Sequence, residues 1–539
     1  MNDDFNTFLK NFEERIIPLS REAHIAYFTA MISGKDEDYT KAADLELKRS
    51  MLFADKDEFL KLKRFKDSAS VTDPLLKRQL HVLYRQFLSR QIDERKLEEM
   101  VRLHTATEQL FSTFRAEING RRMTDNEIDA ILKTSTNRDE LEAVWKASKV
   151  VGRVVREPVL SLIRLRNETA IELGFPNYHA MQLELDEQDP HDVDLLFDEL
   201  DALTKDAFIG LKADIDRSLS ERLGLETQRL MPWHYQNRFF QEAPNLYPVD
   251  FDAFYRDKDV VVLCRNFYAG IGLPIDDLLA GSDLYEKEGK YQHACCSDID
   301  REGDVRVVCN VKPNHSWMNT MLHEFGHAVY DKFNDRRVPW LLREPAHTFT
   351  TEAIAMLFGR FASHPAWLRD IAGIPGATVD AIAQDSSRTL RLEQMVFSRW
   401  AQVMYRFEKA MYENPDQDLN SLWWELVERY QMIRRPPGRD EPDWASKIHV
   451  ALYPAYYHNY LMGELLASQL YYHIGGQVLG AEDIAAQAFT NNPAVGRYLI
   501  ENIFKPGNTR VWNEMIEHAT GEMLTARYYA RQFVHEPGF

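Results

Sequence analysis

Apolar side chains recur at intervals of three and four residues through most of the chain, which is the spacing of an amphipathic helix. Leu76, Leu80, Leu83 and Phe87 show this spacing in the N-terminal part of the sequence. The pattern predicts that the chain is helical throughout from its N-terminus to about residue 230. No segment repeats at a fixed period, so a solenoid of stacked repeats is not expected.

Capping and turn residues mark where the predicted helices begin and end. Thr124 and Asn137 are each followed by a glutamate three residues later, which is the signature of a capped helix start. Glycine, proline and asparagine mark short turns rather than domain linkers. These turns lie at 119–120, 174–177, 373–376, 435–438 and 506–507.

One stretch departs from the helical pattern. Residues 289–300 and 305–312 have the pattern of two short strands joined by a turn, which predicts a small β-hairpin. A new helix follows at once, with Asn314 or Ser316 as its N-cap. We therefore predict a mainly α fold with one small β-hairpin or sheet directly before a helix.

That helix carries the motif His323-Glu324-Phe325-Gly326-His327. Histidines four residues apart lie one above the other on a helix face, where both imidazoles can reach one cation. Glu324 lies beside them and could accept a proton from a water molecule that the metal activates. Two solvated histidines could share this spacing by chance. The apolar surroundings disfavour that alternative because unpaired ionisable groups are costly to bury.

A catalytic zinc ion requires a third protein ligand and leaves its fourth position to water. Residues 350–357 have the pattern of another apolar helix, and Glu352 lies in its first turns, from which it could reach the first helix. His347 and Glu344 are competitors for the same role, and Glu352 could equally be a surface carboxylate. The spacing alone does not choose among these alternatives.

A third group of polar and aromatic residues follows the turn at 435–438. Phenols and an imidazole can stabilise an oxyanion, and a lysine can bind a substrate carboxylate. The alternative is an aromatic helix in the core, which the residues alone favour. The group consists of Lys447, His449, Tyr453, Tyr456, Tyr457 and Tyr460.

Composition excludes some classes of protein. The chain has 84 acidic and 65 basic residues and a formal net charge of −19, which disfavours a nucleic-acid partner. No window approaches the roughly 20 apolar residues of a membrane span, so no membrane association is expected. The opening residues are acidic and polar, unlike a secretory signal. Four cysteines without a CxxC pair in 539 residues predict a protein of the reducing cytoplasm.

Four stretches resemble the angiotensin-converting enzyme family of zinc peptidyl dipeptidases, which are gluzincin metallopeptidases. H-E-F-G-H resembles the family's H-E-M-G-H, and Glu352-Ala353-Ile354 resembles the E-A-I that contains its third zinc ligand. His293-Ala294 and the strand ending at Cys309 resemble its substrate-binding strand. Lys447-Ile448-His449-Val450 resembles K-F-H-V, whose lysine binds the C-terminal carboxylate of the peptide and whose histidine donates to the transition state.

The resemblance implies a fold and a division of the chain. Residues 1–539 would form a single catalytic domain, a large helical ellipsoid split by a deep substrate cleft. The N-terminal helices, about residues 1–120, would form a lid, and residues 289–470 would carry the active site. The two sides of the cleft would come from non-contiguous segments. One zinc ion per chain would be the cofactor and oligopeptides the substrates, and the oligomeric state stays open.

Two of the departures of the sequence from the family concern the predicted site. The family's two functional tyrosines follow the histidine by seven and ten residues, where this chain has Tyr456 and Asn459. A shift by one residue gives Tyr457 and Tyr460, which still lie on one helix face. The family's acidic residue four positions after the third ligand is Met356 here, so its role is filled elsewhere or is missing.

These residues and the resemblance predict a zinc metallopeptidase that releases dipeptides from the C-terminus of oligopeptides, a peptidyl-dipeptidase. His323, His327 and Glu352 would bind zinc, and Glu324 would be the general base. Two alternatives remain: an endo-acting oligopeptidase of the thimet or oligoendopeptidase type, and a catalytically silent peptide-binding pseudoenzyme. The predicted oxyanion donors are His449 and Tyr460, and the predicted peptide-binding residues are His293, Ala294, Lys447, Tyr456 and Tyr457.

Overall fold

The computed structural model describes residues 2–247 and 249–535. These residues form twenty-two α-helices and four short β-strands, which confirms the prediction of a mainly α fold. The helices of the N-terminal part are α1 (Asn2–Ser33), α2 (Asp36–Phe53), α3 (Lys56–Asp67), α4 (Pro74–Leu88), α5 (Glu94–Thr113), α6 (Asp125–Thr134), α7 (Arg138–Glu172), α8 (Tyr178–Leu185), α9 (Pro190–Leu223), α10 (Asp252–Tyr255), α11 (Val260–Gly270) and α12 (Asp276–Gly281).

The helices of the C-terminal part continue to the last described residues. They are α13 (His315–Lys332), α14 (Thr348–Gly359), α15 (Pro365–Asp370), α16 (Gly376–Glu413), α17 (Leu419–Leu426), α18 (Ile448–Leu452), α19 (His458–His473), α20 (Pro493–Leu499), α21 (Trp512–Thr520) and α22 (Arg527–Ala530). Short 3-10 turns lie at Thr227–Arg229, Pro232–His234, Trp340–Leu342, Arg360–Ser363, Asp443–Ser446 and Gly507–Thr509, and π-helical turns lie at Val427–Gln431, Ile474–Val478, Ile500–Phe504 and Arg531–His535.

Three predicted helix starts are confirmed by their caps. Thr124 forms a reciprocal capping box with the glutamate three residues later at the start of α6. The side chain of Asn137 accepts hydrogen bonds from two backbone N–H groups of α7. Asn314 caps α13, where its side chain accepts from the backbone N–H of Trp317 at 2.8 Å. Each cap satisfies N–H groups that the first helical turn leaves unpaired.

The predicted hairpin is present beside the motif helix. β3 (Cys295–Asp298) and β4 (Val305–Val308) pair antiparallel with Cys295 opposite Val308, and both strands pack against α13. The strands are shorter than the sequence pattern suggested. Ala294 therefore lies at the start of a strand that follows the surface of α13.

The prediction that the N-terminal part is helical throughout is wrong at one place. β1 (Ala116–Ile118) and β2 (Arg121–Met123) form a second antiparallel hairpin. Asn119 and Gly120 have φ angles of 53° and 77°, as in the two-residue turns that match the twist of paired strands. An Asn-Gly pair is compatible with a helix break or with such a turn, and the strands that flank it are only three residues long.

The hydrophobic core consists of one large cluster and three smaller ones. The large cluster runs in sequence from Ala116 to Phe533 and includes the buried face of α13. Two of the smaller clusters lie mainly within the N-terminal helices, one of them around Phe5 and Phe12. The last joins Phe28 and Met31 of α1 to Ile299 and Val308 of the hairpin segment. The N-terminal helices thus pack among themselves and against the hairpin, and their role as a lid stays a prediction. None of the helices among the described residues has the length and apolar character that crossing a membrane requires.

A glycine sets the distance between α13 and α14. A Cβ atom at Gly326 would lie 2.8 Å from the Cα of Ala355 and 3.1 Å from its backbone nitrogen. Backbone atoms cannot move aside as the end of a flexible side chain can, so a larger residue would separate the two helices. α14 packs in turn against α19, and the three helices form one layered contact.

Replacement of Gly326 by alanine is expected to lower the free energy of unfolding by about 1–3 kcal/mol, because the added methyl group overpacks the contact between the helices. Thermal or urea-induced unfolding would measure the change. Gly210→Ala is the matched control, since Gly210 lies on the exposed surface of α9, where an added methyl group would have no neighbouring atom within 4 Å. That control is expected to be neutral or stabilising. Equal stability of both variants would contradict the packing role of Gly326.

Candidate active site

Two histidines of α13 and one glutamate of α14 form a compact cluster of metal-binding groups. The Nε2 atoms of His323 and His327 are 3.2 Å apart, and an oxygen of Glu352 lies 3.6 and 3.8 Å from them. The three ligand atoms all lie within 4.8 Å of one another. Two imidazoles and a carboxylate are the protein ligands of many catalytic zinc sites, so the donor set fits zinc.

Burial sets the protonation of this cluster. It lowers the pKa of His323 to about 4, and it lowers the pKa of His327 to about 3 with a contribution from His323. Both imidazoles are therefore neutral near pH 7, which is the form that binds a metal. Burial and the charge of Glu464 raise the pKa of Glu352 to about 7. A bound cation would favour the ionised carboxylate.

Thr351 orients one of the ligands. Its hydroxyl lies 2.7 Å from Nδ1 of His327, so an Nδ1–H donated to the hydroxyl oxygen leaves Nε2 free to face the cluster. Sequence reasoning missed this residue. The available signal was its position directly before Glu352, because neighbouring residues of one helix can contact the same cluster.

The two competitors for the third ligand have other partners. His347 caps α14, and its Nδ1 accepts a hydrogen bond from the backbone N–H of Phe349 at 3.1 Å. Glu344 is ion-paired with Arg301. Both residues border the same cavity as the cluster, but Glu352 is the carboxylate that lies against the two histidines.

Glu324 lies in the same cavity, whose volume is about 590 Å³. It is 8% exposed, and burial together with the charge of Glu352 raises its pKa to about 8. A carboxylate in such surroundings has a higher proton affinity than an exposed glutamate. Ala294, just before β3, lines this cavity as well. The exposed side chain of His293 lies outside, with its ring 5.3 Å from that of Tyr291.

An acidic residue approaches the cluster from α19. Met356 lies against Gly463 of α19, and Glu464 is the next residue. Glu464 is ion-paired with Arg360 and accepts a hydrogen bond from Gln394 at 3.0 Å. Its charge raises the pKa of Glu352, after the larger effect of burial. Sequence reasoning missed Glu464, because no local spacing connects a residue of α19 with one of α14.

The structure brings Tyr457 and Tyr460, but not Asn459, towards the site. The rings of Tyr457 and Tyr460 have centroids 5.4 Å apart, and the ring of Tyr457 is 5.1 Å from that of His449. The ring centroids of Tyr456 and Tyr460 are 5.3 Å apart, and the charge of Glu352 contributes to the raised pKa of both phenols after burial. Asn459 is buried elsewhere and accepts a hydrogen bond from Gln188 at 2.7 Å.

A left-handed residue precedes these tyrosines. Ala455 has a φ angle of +53°, a conformation that costs a non-glycine residue roughly 1 kcal/mol or more. Its backbone N–H donates to the buried carboxyl group of Glu408 at 2.7 Å. On the other side of the turn, Arg166 donates to the carbonyl of Ala451 at 3.2 Å. These two contacts hold the short connection between α18 and α19 in place.

Lys447 is buried beside an amide and three aromatic rings. Its ammonium group donates to the side-chain oxygen of Gln241 at 2.5 Å and lies 5.6 Å from the ring centroid of Tyr457. The Tyr457 hydroxyl accepts a hydrogen bond from Trp400 at 2.7 Å. Burial lowers the pKa of Lys447 to about 8. Lys447 and Gln241 border a second cavity of about 700 Å³, and sequence reasoning missed Gln241.

His449 lies between Tyr453 and Tyr457. Its ring contacts Tyr453 at 5.6 Å and Tyr457 at 5.1 Å between centroids. Its Nδ1 atom is buried and makes no hydrogen bond to any described residue. Burial lowers the pKa of His449 to about 4, with a contribution from Lys447.

Two family models match different parts of the chain. The model described as "Angiotensin-converting enzyme" matches residues 2–230, and the model described as "Peptidase family M3" matches residues 282–535. The second match contains all three residues of the metal cluster.

Individual relatives match parts of the chain at low sequence identity. The chain is 22% identical to the angiotensin-converting enzyme-like protein Ace3 of Mus musculus over 74% of its own length and 57% of that protein. It is 24% identical to the angiotensin-converting enzyme of Theromyzon tessulatum over 44% of its length and 39% of that protein. It is 26% identical to thermostable carboxypeptidase 1 of Pyrococcus furiosus over 42% of its length and 49% of that protein. The chain thus spans less than two thirds of the length of each of these relatives.

Replacement of Thr351 by valine is expected to weaken zinc binding by about 10- to 100-fold, because the His327 ring loses the hydroxyl that fixes its orientation. Competition with a chromophoric chelator would measure the affinity directly and without turnover. Thr351→Ser keeps the hydroxyl and serves as the control, which is expected to bind zinc nearly as tightly as the parent protein. Equal affinities for the valine and serine variants would contradict the orienting role.

Proposed function

Because the chain belongs to the angiotensin-converting-enzyme-like gluzincin metallopeptidases, we propose that it is a zinc-dependent peptidase that releases dipeptides from the C-terminus of oligopeptides. The observation that carries the proposal is the burial of Glu324 beside a complete His–His–Glu cluster in one cavity. Hydrolysis needs a metal site and a base that face the same space. The release of dipeptides rests on a second observation, the buried ammonium group of Lys447.

His323, His327 and Glu352 would hold one zinc ion per chain. Zinc in such a site polarises the scissile carbonyl group and activates a water molecule. Glu324 takes the proton of the attacking water and returns it to the leaving amine, and the raised proton affinity of its buried carboxylate suits the first of these transfers.

His449 and Tyr460 donate hydrogen bonds to the oxyanion that forms at the scissile carbon. The neighbouring phenol of Tyr456 orients Tyr460, and the ring of Tyr457 lies between Tyr460 and His449. The packed rings reduce the freedom of the donors, so little reorganisation is needed when the charge develops.

The peptide lies extended along Ala294 and β3, with backbone hydrogen bonds to the edge of the strand and with His293 beside it. Its C-terminal carboxylate binds to Lys447 and Gln241, which border the second cavity, and to Tyr457, whose ring centroid lies 5.6 Å from the Lys447 ammonium group. The helices of about residues 1–120 cover the cleft as a lid and limit entry to unfolded peptides.

The four free cysteines support a reducing compartment, and we propose the cytoplasm. Cys264 and Cys309 are buried, so their thiols contribute as small core residues.

A second candidate is an endo-acting oligopeptidase of the thimet or oligoendopeptidase type. The match of residues 282–535 to "Peptidase family M3" favours it, since this segment contains the metal cluster and the tyrosines. The two candidates share the chemistry and differ in whether the free C-terminus of the peptide is required. A peptide-binding protein without turnover is the alternative from another class.

The test is mass spectrometry of the products of two oligopeptides with the same sequence, one with a free and one with an amidated C-terminus. We expect loss of C-terminal dipeptides from the free peptide only, and we expect a zinc chelator to abolish it, because the carboxylate is the anchor and the metal activates the water. Internal cleavage of both peptides would establish the endo-acting candidate. Zinc binding without any cleavage would establish the pseudoenzyme.

Glu324→Gln is the control for this experiment. The variant is expected to keep stoichiometric zinc, measured by elemental analysis, and to lose most of its turnover, since an amide cannot accept the proton. Full activity of the variant would exclude Glu324 as the base.

A second prediction concerns the charge of Lys447. Because burial lowers its pKa to about 8, the ammonium form is present below that pH and is lost above it. The value of kcat/KM for the free peptide is therefore expected to fall relative to that of Lys447→Arg as the pH rises through about 8, by up to tenfold per pH unit, because the ionisation of Glu324 is common to both proteins. Lys447→Arg stays charged over this range, so its profile is expected to lack the decrease that Lys447 causes.

Lys447→Ala completes the comparison. It is expected to raise KM for the free peptide by roughly 10- to 100-fold below pH 8, the value of a charged hydrogen bond, and the difference from the parent should shrink above that pH, where the parent also loses the charge. Identical pH profiles for the parent and arginine variants would exclude Lys447 as the titrating group. Equal losses on free and amidated peptides would exclude a carboxylate as its partner.

A further inference from the structure

Four exposed tyrosines come from four separate segments of the chain. Tyr27, Tyr39, Tyr291 and Tyr453 are 50%, 39%, 37% and 51% exposed, respectively. Single exposed tyrosines are ordinary, but a group of them at one place marks a binding surface. We call this group the aromatic rim, and it consists of Tyr27 of α1, Tyr39 of α2, Tyr291 before β3 and Tyr453 after α18.

Backbone contacts bring the first three segments together. The N–H of Tyr291 donates to the carbonyl of Met31 at 2.8 Å, one helical turn beyond Tyr27. The turn between α1 and α2 is in backbone contact with the same segment, because a Cβ at Gly34 would lie only 1.9 Å from the carbonyl oxygen of Gly289. Tyr39 lies one turn into the helix that follows Gly34.

Electrostatic coupling places Tyr453 in the same group. The pKa of Tyr27 is raised by burial first and then by Tyr291, Cys295, Tyr39 and Tyr453. The pKa of Tyr291 is raised by burial and by three of the same neighbours. Such coupling requires the side chains to be close in space.

The aromatic rim is continuous with the proposed peptide-binding residues on both sides of the cleft. The ring of Tyr453 lies 5.6 Å from that of His449, and the ring of Tyr291 lies 5.3 Å from that of His293. A peptide that lies between His449 and the strand of Ala294 would therefore leave one of its side chains against these rings. The acidic first turn of α2, Asp36-Glu37-Asp38, adjoins Tyr39 and disfavours an acidic side chain there.

We propose that the aromatic rim is a substrate subsite that binds an aromatic or large apolar side chain of the peptide. The proposal rests on the proposed peptidase function for the course of the peptide through the cleft. Tyrosine rings offer aromatic faces to such a side chain, and their hydroxyl groups stay in contact with water. Tyr27 and Tyr39 lie on α1 and α2, and the backbone of Tyr291 is hydrogen-bonded to α1. The subsite therefore forms only where these helices meet the segment before β3.

Binding to the zinc-loaded Glu324→Gln protein tests the subsite without turnover. A series of oligoalanine peptides with a free C-terminus carries one phenylalanine, moved one position at a time, and a second series carries glutamate instead. Calorimetry or fluorescence anisotropy gives the dissociation constants. We expect one position at which phenylalanine binds about tenfold more tightly than alanine and glutamate binds more weakly than alanine.

Rim variants then assign that preference to its residues. Tyr291→Ala and Tyr453→Ala are expected to reduce the preference for phenylalanine to about threefold or less, whereas Tyr291→Phe and Tyr453→Phe, which keep the rings, are expected to retain it. Tyr285→Ala, a tyrosine that is 58% exposed and lies outside the rim, is the matched control and should leave the preference unchanged. A preference that survives both alanine variants, or that Tyr285→Ala also removes, would overturn the proposal.

The same design separates this proposal from the proposed function. Cleavage by the parent protein is measured independently with the free and amidated peptides, and its absence would overturn the peptidase assignment. The binding preference in the Glu324→Gln protein does not depend on cleavage, so it decides the subsite alone.

Discussion

The backbone contact between α13 and α14 at Gly326 is the constraint on which the candidate site depends. His323 and His327 come together by helix periodicity alone, but Glu352 joins them only if its helix lies close to theirs. The absence of a side chain at Gly326 lets the backbone of α14 approach to contact distance. Thr351 and Glu352 then fall beside His327 as successive residues of one helix, so one packing contact positions both a ligand and its neighbour.

The parts of the site that sequence could predict are those governed by local geometry. The spacing of His323 and His327 and the position of Glu324 follow from helix periodicity, and Asn314 marks the start of their helix by its capping chemistry. The hairpin before that helix was also predictable from its alternating pattern, whereas the hairpin at Asn119-Gly120 was missed because its strands are too short to show alternation.

The parts that sequence could not predict come from distant segments. Gln241 reaches Lys447, and Glu464 approaches Glu352, through contacts between elements that are far apart in the chain. The sequence spacing did not choose among Glu352, His347 and Glu344 as the third metal-binding residue. Only the three-dimensional position of each side chain shows that Glu352 faces the two histidines. The roles of the tyrosines were ambiguous for the same reason, since Asn459 and Tyr460 are neighbours in sequence but contact different residues.

The left-handed Ala455 has a consequence for the evolution of this surface. A residue inserted inside an α-helix turns all the side chains that follow by about 100° around the helix axis, whereas one inserted in the connection before the helix does not. Ala455 lies in the connection before α19 and is held by Glu408, so the angular position of Tyr457 and Tyr460 is set where α19 begins. The length of the segment after His449 can then drift by insertion or deletion while the same face of α19 continues to meet the metal cluster.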